Sequence, residues 1–479
     1  MTDSAAARPT DVVVVGAGIL GLMITRALAA TGRTVTCIGP DHRAPGTASS
    51  AAGAMLGTIG EVTGDDMDAV DAVELDFRAT AAKMWPGIIE ELADVGGAVR
   101  HGTGTMMVAN LVNESDRANL ATAYAAAAKV GIPAEQVDPQ EVPGLRPARG
   151  YEAVAAMFLP TEGWLDTVDL LDRLRAGLAA DQRVTLMPTQ VVGVTPGPNP
   201  VVRLSDGTTV TAGDVVLAAG VGCRDLLAQL DGTAVALPQL LPGKGISLEL
   251  AEAPTVFPYV VRTPNRDFAC GTHVVPRPDG RVYLGATNRV SATPGAAEGV
   301  TPGEMHALLH SAIHEVNVGF RTSRITSMTY GLRPLTSDHK PLIGATGHDG
   351  VHIATGTYRN GILMAPLIAD LITAELRERR PAPDNPYHPL APGRRGTGDA
   401  NDAFVEGIRH LTSFLLEPGG HLPYDRQREL RSFLTTLGAM ALSDTTDPLR
   451  ERLSALLAEH PIAEMVPQFF YEVIAGEPR

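Results

Sequence analysis

Asp11-Val12-Val13-Val14-Val15-Gly16-Ala17-Gly18-Ile19-Leu20-Gly21 is the stretch from which the rest of this 479-residue chain can be read. Four consecutive valines make a short apolar, β-branched run, the pattern of a strand covered on both faces. Gly-x-Gly-x-x-Gly follows at Gly16, Gly18 and Gly21. An apolar helical pattern then runs from Ile19 to about Ala30 and closes at Gly32, and Arg33–Ile38 reads as a second strand. The result is a βαβ unit. Gly16 allows the tight turn, Gly18 lets a pyrophosphate approach the backbone, and Gly21 lets helix and strand pack closely, with the phosphates at the positive end of the helix. Three glycines alone are weak evidence, equally readable as a Gly-rich turn after a core strand. The strand before them and the helix and strand after make dinucleotide binding the reading. One detail is off-pattern. The acidic residue that usually ends the second strand and bonds the ribose is replaced by Gly39-Pro40, with Asp41 one step later. Either Asp41 or backbone groups then reach the ribose. This weakens a nicotinamide reading more than a flavin one, because a flavin dinucleotide is held from several distant segments.

The length suits two or three domains around a large core. Apolar residues make up 44% and charged residues 19%, as in a soluble globular protein. The net charge of −15 argues against nucleic acid or an anionic membrane as a partner. Lys83, Lys129, Lys244 and Lys340 are the only lysines, so nearly all basic residues are Arg and any one Arg is less surprising. Cys37, Cys223 and Cys270 lie far apart without metal or redox spacing and read as reduced thiols of a cytoplasmic protein. Val12–Ala30 is apolar, yet it carries Thr25, Arg26 and three glycines with no convincing cleavage site after it. It reads as fold, not as a targeting or membrane segment.

Further along, Thr47–Gly60 is rich in Gly, Ala and Ser and lets backbone come close to something flat; Met55, Leu56 and Ile59 are too apolar for a free linker. Helical patterns span Asp68 to about Val95 and Glu114–Val130. Thr105–Ala109 and Ala153–Leu159 read as strands, with a Pro-rich connector over Pro133–Pro147. Thr161-Glu162-Gly163-Trp164 leads into a helix over about Asp169–Ala180. Strands follow at Arg183–Pro188 and Val191–Val194, then a hairpin around Ser205-Asp206-Gly207. Asp214–Gly220 is a buried strand that returns to the first domain some 200 residues downstream. The nucleotide domain is therefore assembled from separated pieces. Gly245–Leu250, His273–Pro276 and Val282–Gly285 suit an antiparallel substrate-side sheet. Thr301–Val318 reads as a helix capped by Thr301 with Glu304. On it His306, His310 and His314 share one face, but no Asp, Glu or Cys partner is evident. A solvated histidine stripe is the ordinary meaning, so no metal is assigned. A second Gly-rich turn, Gly356-Thr357-Tyr358-Arg359-Asn360-Gly361, precedes an apolar helix and points backbone N–H groups at a ligand. Ala391–Gly398 is a Pro/Gly/Arg linker. Four helices are expected after it, near 402–416, 425–442, 448–459 and 463–474.

Together these motifs resemble the D-amino-acid oxidase superfamily of flavoproteins, closest to bacterial glycine oxidases. The match runs over about residues 10–385. It rests on Gly-Ala-Gly-Ile-Leu-Gly, Ser-Ser-Ala-Ala-Gly-Ala-Met-Leu-Gly, Pro-Gly-Lys-Gly, Val-Pro-Arg-Pro-Asp-Gly-Arg, Gly-Ala-Thr, Gly-Leu-Arg-Pro and Arg-Asn-Gly-Ile-Leu-Met-Ala-Pro. The resemblance implies a mixed α/β (α+β) fold. Its Rossmann-like FAD-binding domain would be discontinuous (1–85, 151–236, 328–392). An antiparallel-sheet substrate domain (86–150, 237–327) would be interleaved with it, and a helical extension (393–479) would follow. It implies a noncovalent FAD, since Met328-Thr329-Tyr330 offer no Cys where relatives with covalent flavin carry one. Gly16, Gly18, Ile19, Leu20 and Gly21 would hold the pyrophosphate, and Gly39, Pro40 and Asp41 would stand at the ribose. Ala48, Ser49, Gly53, Ala54 and Met55 would run beside the flavin. Val191 would hold the adenine side through its backbone, and Gly220 joins the cofactor set. Thr357, Tyr358, Asn360, Gly361, Ile362 and Leu363 would cradle the isoalloxazine.

Arg333 and Arg359 fall on the family's two carboxylate-binding positions, and an Arg fork suits a carboxylate. His273 stands where the glycine-type members place a Tyr. No residue is assigned as acid or base. The expected substrate is a small amino acid or, preferentially, an N-substituted glycine, with His273 when protonated meeting a second anionic group; O2 is the electron acceptor. Glycine, sarcosine or a D-amino acid is the alternative substrate, and a non-oxygen acceptor the alternative acceptor. A homo-oligomer is left open.

Overall fold

The computed structural model describes residues 10–391, apart from 65–66, 68–69, 96, 112–113, 231–236, 267–269 and 291–298, together with 394 and 432. In chain order the elements are β1 (Thr10–Val15), α1 (Ile19–Ala30), β2 (Val35–Ile38), α2 (Ala48–Ala51), β3 (Met55–Leu56), α3 (Ala72–Ala82), α4 (Trp85–Ala93), β4 (His101–Asn110), α5 (Glu114–Val130), β5 (Glu135–Val137), β6 (Ala153–Leu165) and α6 (Thr167–Ala180). Then come β7 (Val184–Met187), β8 (Val191–Thr195), β9 (Val201–Leu204), β10 (Thr209–Leu217), α7 (Cys223–Leu227), β11 (Leu240–Ala251), β12 (Val260–Arg262), β13 (His273–Pro276), β14 (Val282–Gly285) and β15 (Arg289–Val290). The last are α8 (Pro302–Ser311), β16 (Arg324–Thr336), β17 (Leu342–Ala345), β18 (Val351–Thr355) and α9 (Gly361–Glu378).

The four valines do what their pattern demands. β1 lies between β10 and β2, parallel to both, in a sheet ordered β17-β18-β10-β1-β2-β7, with β8 and β9 attached through β10. Strand side chains alternate between faces. Val12 and Val14 accordingly join the core built with α1, α6 and α9, while Val13 and Val15 join the core on the opposite face, beneath the β8–β9 hairpin. A second, largely antiparallel sheet runs β15-β11-β14-β13-β12-β4-β6-β3, with β16 paired to β11 and β5 to β6. A cavity opens where the two sheets meet.

Several elements differ from the sequence reading. The span 68–95 holds two helices, because Pro86 begins a new one at its second position. The connector over 133–147 contains β5 and a short 3-10 turn capped by Asp138. Thr161–Trp164 is not a lead-in loop: β6 continues through it, pairing Trp164 with Met55, and α6 starts at Thr167 capped by the Asp166 carboxylate. The hairpin strand and the returning strand are one, β10. The Thr301–Glu304 capping box is present, but regular helix ends at Ser311 and one π turn follows. Strand membership also departs from the domain boundaries. β3, β6 and residues 328–336 of β16 pair within the second sheet, whereas the sequence reading groups them with the first domain. Hydrophobic patterning reports burial, not which sheet does the burying. Arg394, read as linker, is docked: its guanidinium donates to the Lys340 and Tyr387 carbonyls and pairs with Asp338 at 3.0 Å. The four helices expected after it lie outside the described residues. Among the described residues, no helix is long and apolar enough to cross a membrane.

Candidate active site

At the end of β1 the chain turns at Gly16, whose φ is +118°. A Cβ there would sit 2.3 Å from the Ala218 carbonyl oxygen, and one on Gly21 would sit 1.8 Å from that of Gly16. Only glycine fits either place. α1 begins at Ile19 with Gly18 before it and no side-chain cap. Its first N–H groups face the cavity, except that Ile19 donates to Ser49 Oγ at 3.0 Å. The free donors and the helix dipole together make an anion site.

From that helix end a cavity of about 400 Å³ extends past residues 40–55, 218–222 and 331–334 and along Thr357–Ile362. It ends at Glu61, Cys270, His273 and Tyr283. One end is a phosphate cradle, the middle is glycine and small side chains, and the far end is charged. The residues present therefore fit a long dinucleotide. Of the expected cofactor residues, Gly16, Gly18, Ile19, Leu20, Pro40, Asp41, Ala48, Ser49, Gly53, Ala54, Met55, Gly220, Thr357, Tyr358, Asn360, Gly361 and Ile362 line the wall. Four do not. Gly21 serves the helix–strand approach. Gly39 lies behind the wall, where a Cβ would meet Ala17 N at 2.5 Å. Leu363 is core, its carbonyl accepting from the Trp85 indole at 3.0 Å. Val191 is buried beneath the first sheet at the start of β8, paired to Leu204. Asp41 stands exposed near the ribose end, accepting from the Arg43 N–H at 2.8 Å. His42 beside it is buried, 3.1 Å from Asp172.

At the charged end the two arginines differ. Arg333, on β16, donates to the Thr287 carbonyl (3.1 Å) and Asn288 Oδ1 (3.2 Å), and no carboxylate of the described residues stands within ion-pair distance of it. It has room because residue 245 lacks a side chain: a Cβ there would fall 2.2 Å from Arg333 Nη2. Arg359 instead faces Glu61 at 3.5 Å and lies over the Tyr358 ring at 5.1 Å, with Cys270 Sγ 3.7 Å from Nη1. Glu61 also pairs with Arg262 at 2.9 Å and accepts from Asn265 at 2.8 Å. Burial would raise the Glu61 pKa, but Arg262 and Arg359 outweigh it and hold it at about 2. Glu61 is thus a fixed anion between two cations.

His273 is on the wall but not in its expected role. Burial first, then the neighbouring Arg262, pushes its pKa down to about 3. It is a neutral imidazole at pH 7 and brings no positive charge to a second anion. Tyr283 and Tyr358 provide the aromatic surface instead. The Tyr283 hydroxyl donates to the Ala51 carbonyl at 2.9 Å, tying the second sheet to the end of α2, and Tyr358 bonds Asn288. Sequence reasoning missed Glu61, Arg262, Tyr283 and Gly245. Gly245 had a signal, the Pro-Gly-Lys-Gly motif; the other three meet only in three dimensions. On the histidine stripe His310 stacks on His314 at 4.1 Å between centroids and bonds Tyr151, and no group of His, Cys, Asp and Glu suited to a metal occurs among the described residues.

With this geometry in place, the chain matches the family model described as DAO, FAD dependent oxidoreductase, over residues 11–375. It is 29% identical over 379 residues to a glycine oxidase of Geobacillus kaustophilus, covering 77% of this chain and 93% of that one. It is also 29% identical to a glycine oxidase of Pseudomonas putida, over 79% and 98%. The solved structure of the Geobacillus kaustophilus glycine oxidase superposes with a TM-score of 0.69 at 26% identity, covering 80% and 99%. An iminodiacetate oxidase from a Chelativorans species shares the fold, with a TM-score of 0.66 at 22% identity over 79% and 98%.

Proposed function

The chain belongs to the DAO family of FAD-dependent oxidoreductases, and on that premise we propose that it oxidises the C–N bond next to a carboxylate in an N-substituted glycine. The products are glyoxylate, a free primary amine and hydrogen peroxide. The observation that carries this reading is Arg333: a half-buried guanidinium on the cavity wall, given space by Gly245 and, among the described residues, bonded only to neutral oxygens. Such a fork takes a carboxylate in two parallel bonds. Arg262 and Arg359 carry two charges against the fixed anion Glu61, so while the neighbouring buried Glu162 keeps its proton the neighbourhood favours an anion beyond the first. An N-carboxymethyl amine bearing a further acidic group meets both features.

The side chains' work is placement. Arg333 holds the carboxylate, and the rings of Tyr283 and Tyr358 wall the α-carbon, which fixes the reacting bond and keeps water away. The residues at the start of α1 and along Thr357–Ile362 would hold FAD, which would supply a two-electron acceptor for hydride from the α-carbon, with O2 as the final oxidant and hydrogen peroxide as its product. The substrate nitrogen's lone pair closes the C=N bond. Water then adds to the imine carbon, and glyoxylate separates from the amine. A secondary amine serves as well as a primary one, because the hydride leaves from carbon. The second reading, free glycine, sarcosine or a D-amino acid as substrate, is favoured by the neutrality of His273, which removes one grip on a longer acid.

A peroxide-coupled screen without added acceptor decides between them. We expect kcat/KM for at least one N-carboxymethyl amino acid to exceed that for glycine; equal or higher values for glycine throughout would sink the proposal. Turnover only with an added acceptor would assign a dehydrogenase.

A further inference from the structure

We propose that Glu162 is the positioning residue of the charged end of the cavity: by holding or releasing one proton it sets how tightly Glu61 is shared between Arg262 and Arg359, and so how much positive charge Arg359 offers an anionic ligand. This rests on the carboxylate-site reading above.

Glu162 lies on β6 and is 3% exposed. Its Oε1 accepts from the Ile59 and Gly60 N–H groups, which fixes the turn leading directly into Glu61. Its Oε2 is buried and has no hydrogen-bond partner among the described residues. The groups meet over a bare glycine: a Cβ on Gly60 would be 2.8 Å from Arg262 Nη1 and 3.3 Å from Glu162 Oε2. Two ionisable groups face the carboxyl, Arg262 from β12 and Glu61 from the turn. While Glu162 keeps its proton, Glu61 is the only anion between Arg262 and Arg359. When it ionises, it competes for Arg262 and repels Glu61 toward Arg359, and the local positive charge falls by one. Burial raises its pKa to about 7 against the opposing pull of the two backbone N–H groups and Arg262, so the exchange falls in the neutral range.

Acetate has a carboxylate but no amine, so it stays ionised across that range. Its binding to the holoenzyme is read from the visible spectrum of the bound flavin between about pH 5.5 and about pH 8.5. We expect its Kd to rise roughly three- to tenfold as pH crosses neutrality, the effect of one charge transmitted through the Glu61–Arg262–Arg359 group in a partly screened site. In Glu162→Gln the Kd should be flat and close to the low-pH value of the wild type. An inflection that persists in Glu162→Gln, or pH-independent binding in the wild type, would overturn the assignment. If Glu162→Gln does not fold, Glu162→Asp is read instead: a shorter carboxyl must move the inflection, and an unmoved one refutes the role. Absence of acetate binding at every pH would overturn the carboxylate site itself, and this inference with it.

Discussion

A methyl group added at residue 245 would press into the guanidinium of Arg333, with Nη1, Nη2 and Cζ all within 2.4 Å of its position. Gly245→Ala should therefore displace Arg333 without touching the α1 cradle. Misplacement by about 1 Å costs on the order of 100-fold in rate, so kcat/KM should fall by that order while the flavin-to-protein ratio stays at the wild-type value. Removing the guanidinium is a harsher change. Arg333→Ala should cost about 2–5 kcal/mol of transition-state binding in kcat/KM, and Arg333→Lys should also be poor, because a point charge does not replace a fork. Near-normal values for either would move the carboxylate site elsewhere. Glu162 gives a stability test that needs no substrate. Its pKa rises from the ordinary 4.5 to about 7 on folding, so the folded chain holds that proton more tightly. The resulting stabilisation is complete below about 4.5 and is lost as pH rises through about 7. The wild type should accordingly lose roughly 2–3 kcal/mol relative to Glu162→Gln between those limits, measured by denaturant unfolding at a series of pH values.

Among the elements, α1 is packed most tightly at its first turn. Gly21 lies 1.8 Å, Cβ to oxygen, from the Gly16 carbonyl in the event of substitution, and the opposite side of the turn is closed by Ala218. Gly21→Ala must push α1 away from β1, and overpacking of this kind costs about 1–3 kcal/mol. Because the same turn presents the helix N-terminus to the cavity, a lower Tm and a lower flavin content should appear together. Full flavin content at unchanged Tm would show that the approach is looser than the backbone geometry requires. The same logic explains the second sheet's hold on the cavity. Tyr283 and Ser247 both donate to the Ala51 carbonyl, at 2.9 and 3.1 Å, so β14 and β11 fix the end of α2.

At the scale of the molecule, the described residues on the cavity wall fall between Gly16 and Ile362. Beyond α9 the described chain is anchored as far as Arg394, which binds Asp338 and the carbonyls of Lys340 and Tyr387. A chain ending at residue 396 keeps this anchor. It should purify yellow, with FAD recovered in the supernatant after acid precipitation; a folded but colourless truncation would assign residues 397–479 a part in holding the cofactor. Flavin that stays on the acid-precipitated chain would contradict noncovalent attachment.

The amino-acid sequence by itself determined the βαβ start, the return of a buried strand beside it some 200 residues downstream, and two arginines that line the cavity. These rest on local rules: a run of valines must be covered on both faces, a Gly-x-Gly-x-x-Gly turn serves one geometry, and Arg333 and Arg359 sit in short motifs. Helix boundaries at Glu114–Val130 and at the Thr301 cap were legible for the same reason. What only the tertiary structure decided is how charge is distributed among groups far apart in the chain. Glu61, Glu162, Arg262, Asn265 and Arg359 span some 300 residues, and no pattern in the sequence ties them together. Their meeting makes Arg359 a paired cation and leaves Arg333 without a carboxylate partner among the described residues. The expectation that His273 carries charge failed on the same ground, since its pKa depends on burial and on Arg262. Side-chain type is written in the sequence, but ionisation depends on solvent access and neighbouring charge, and both are properties of the folded chain.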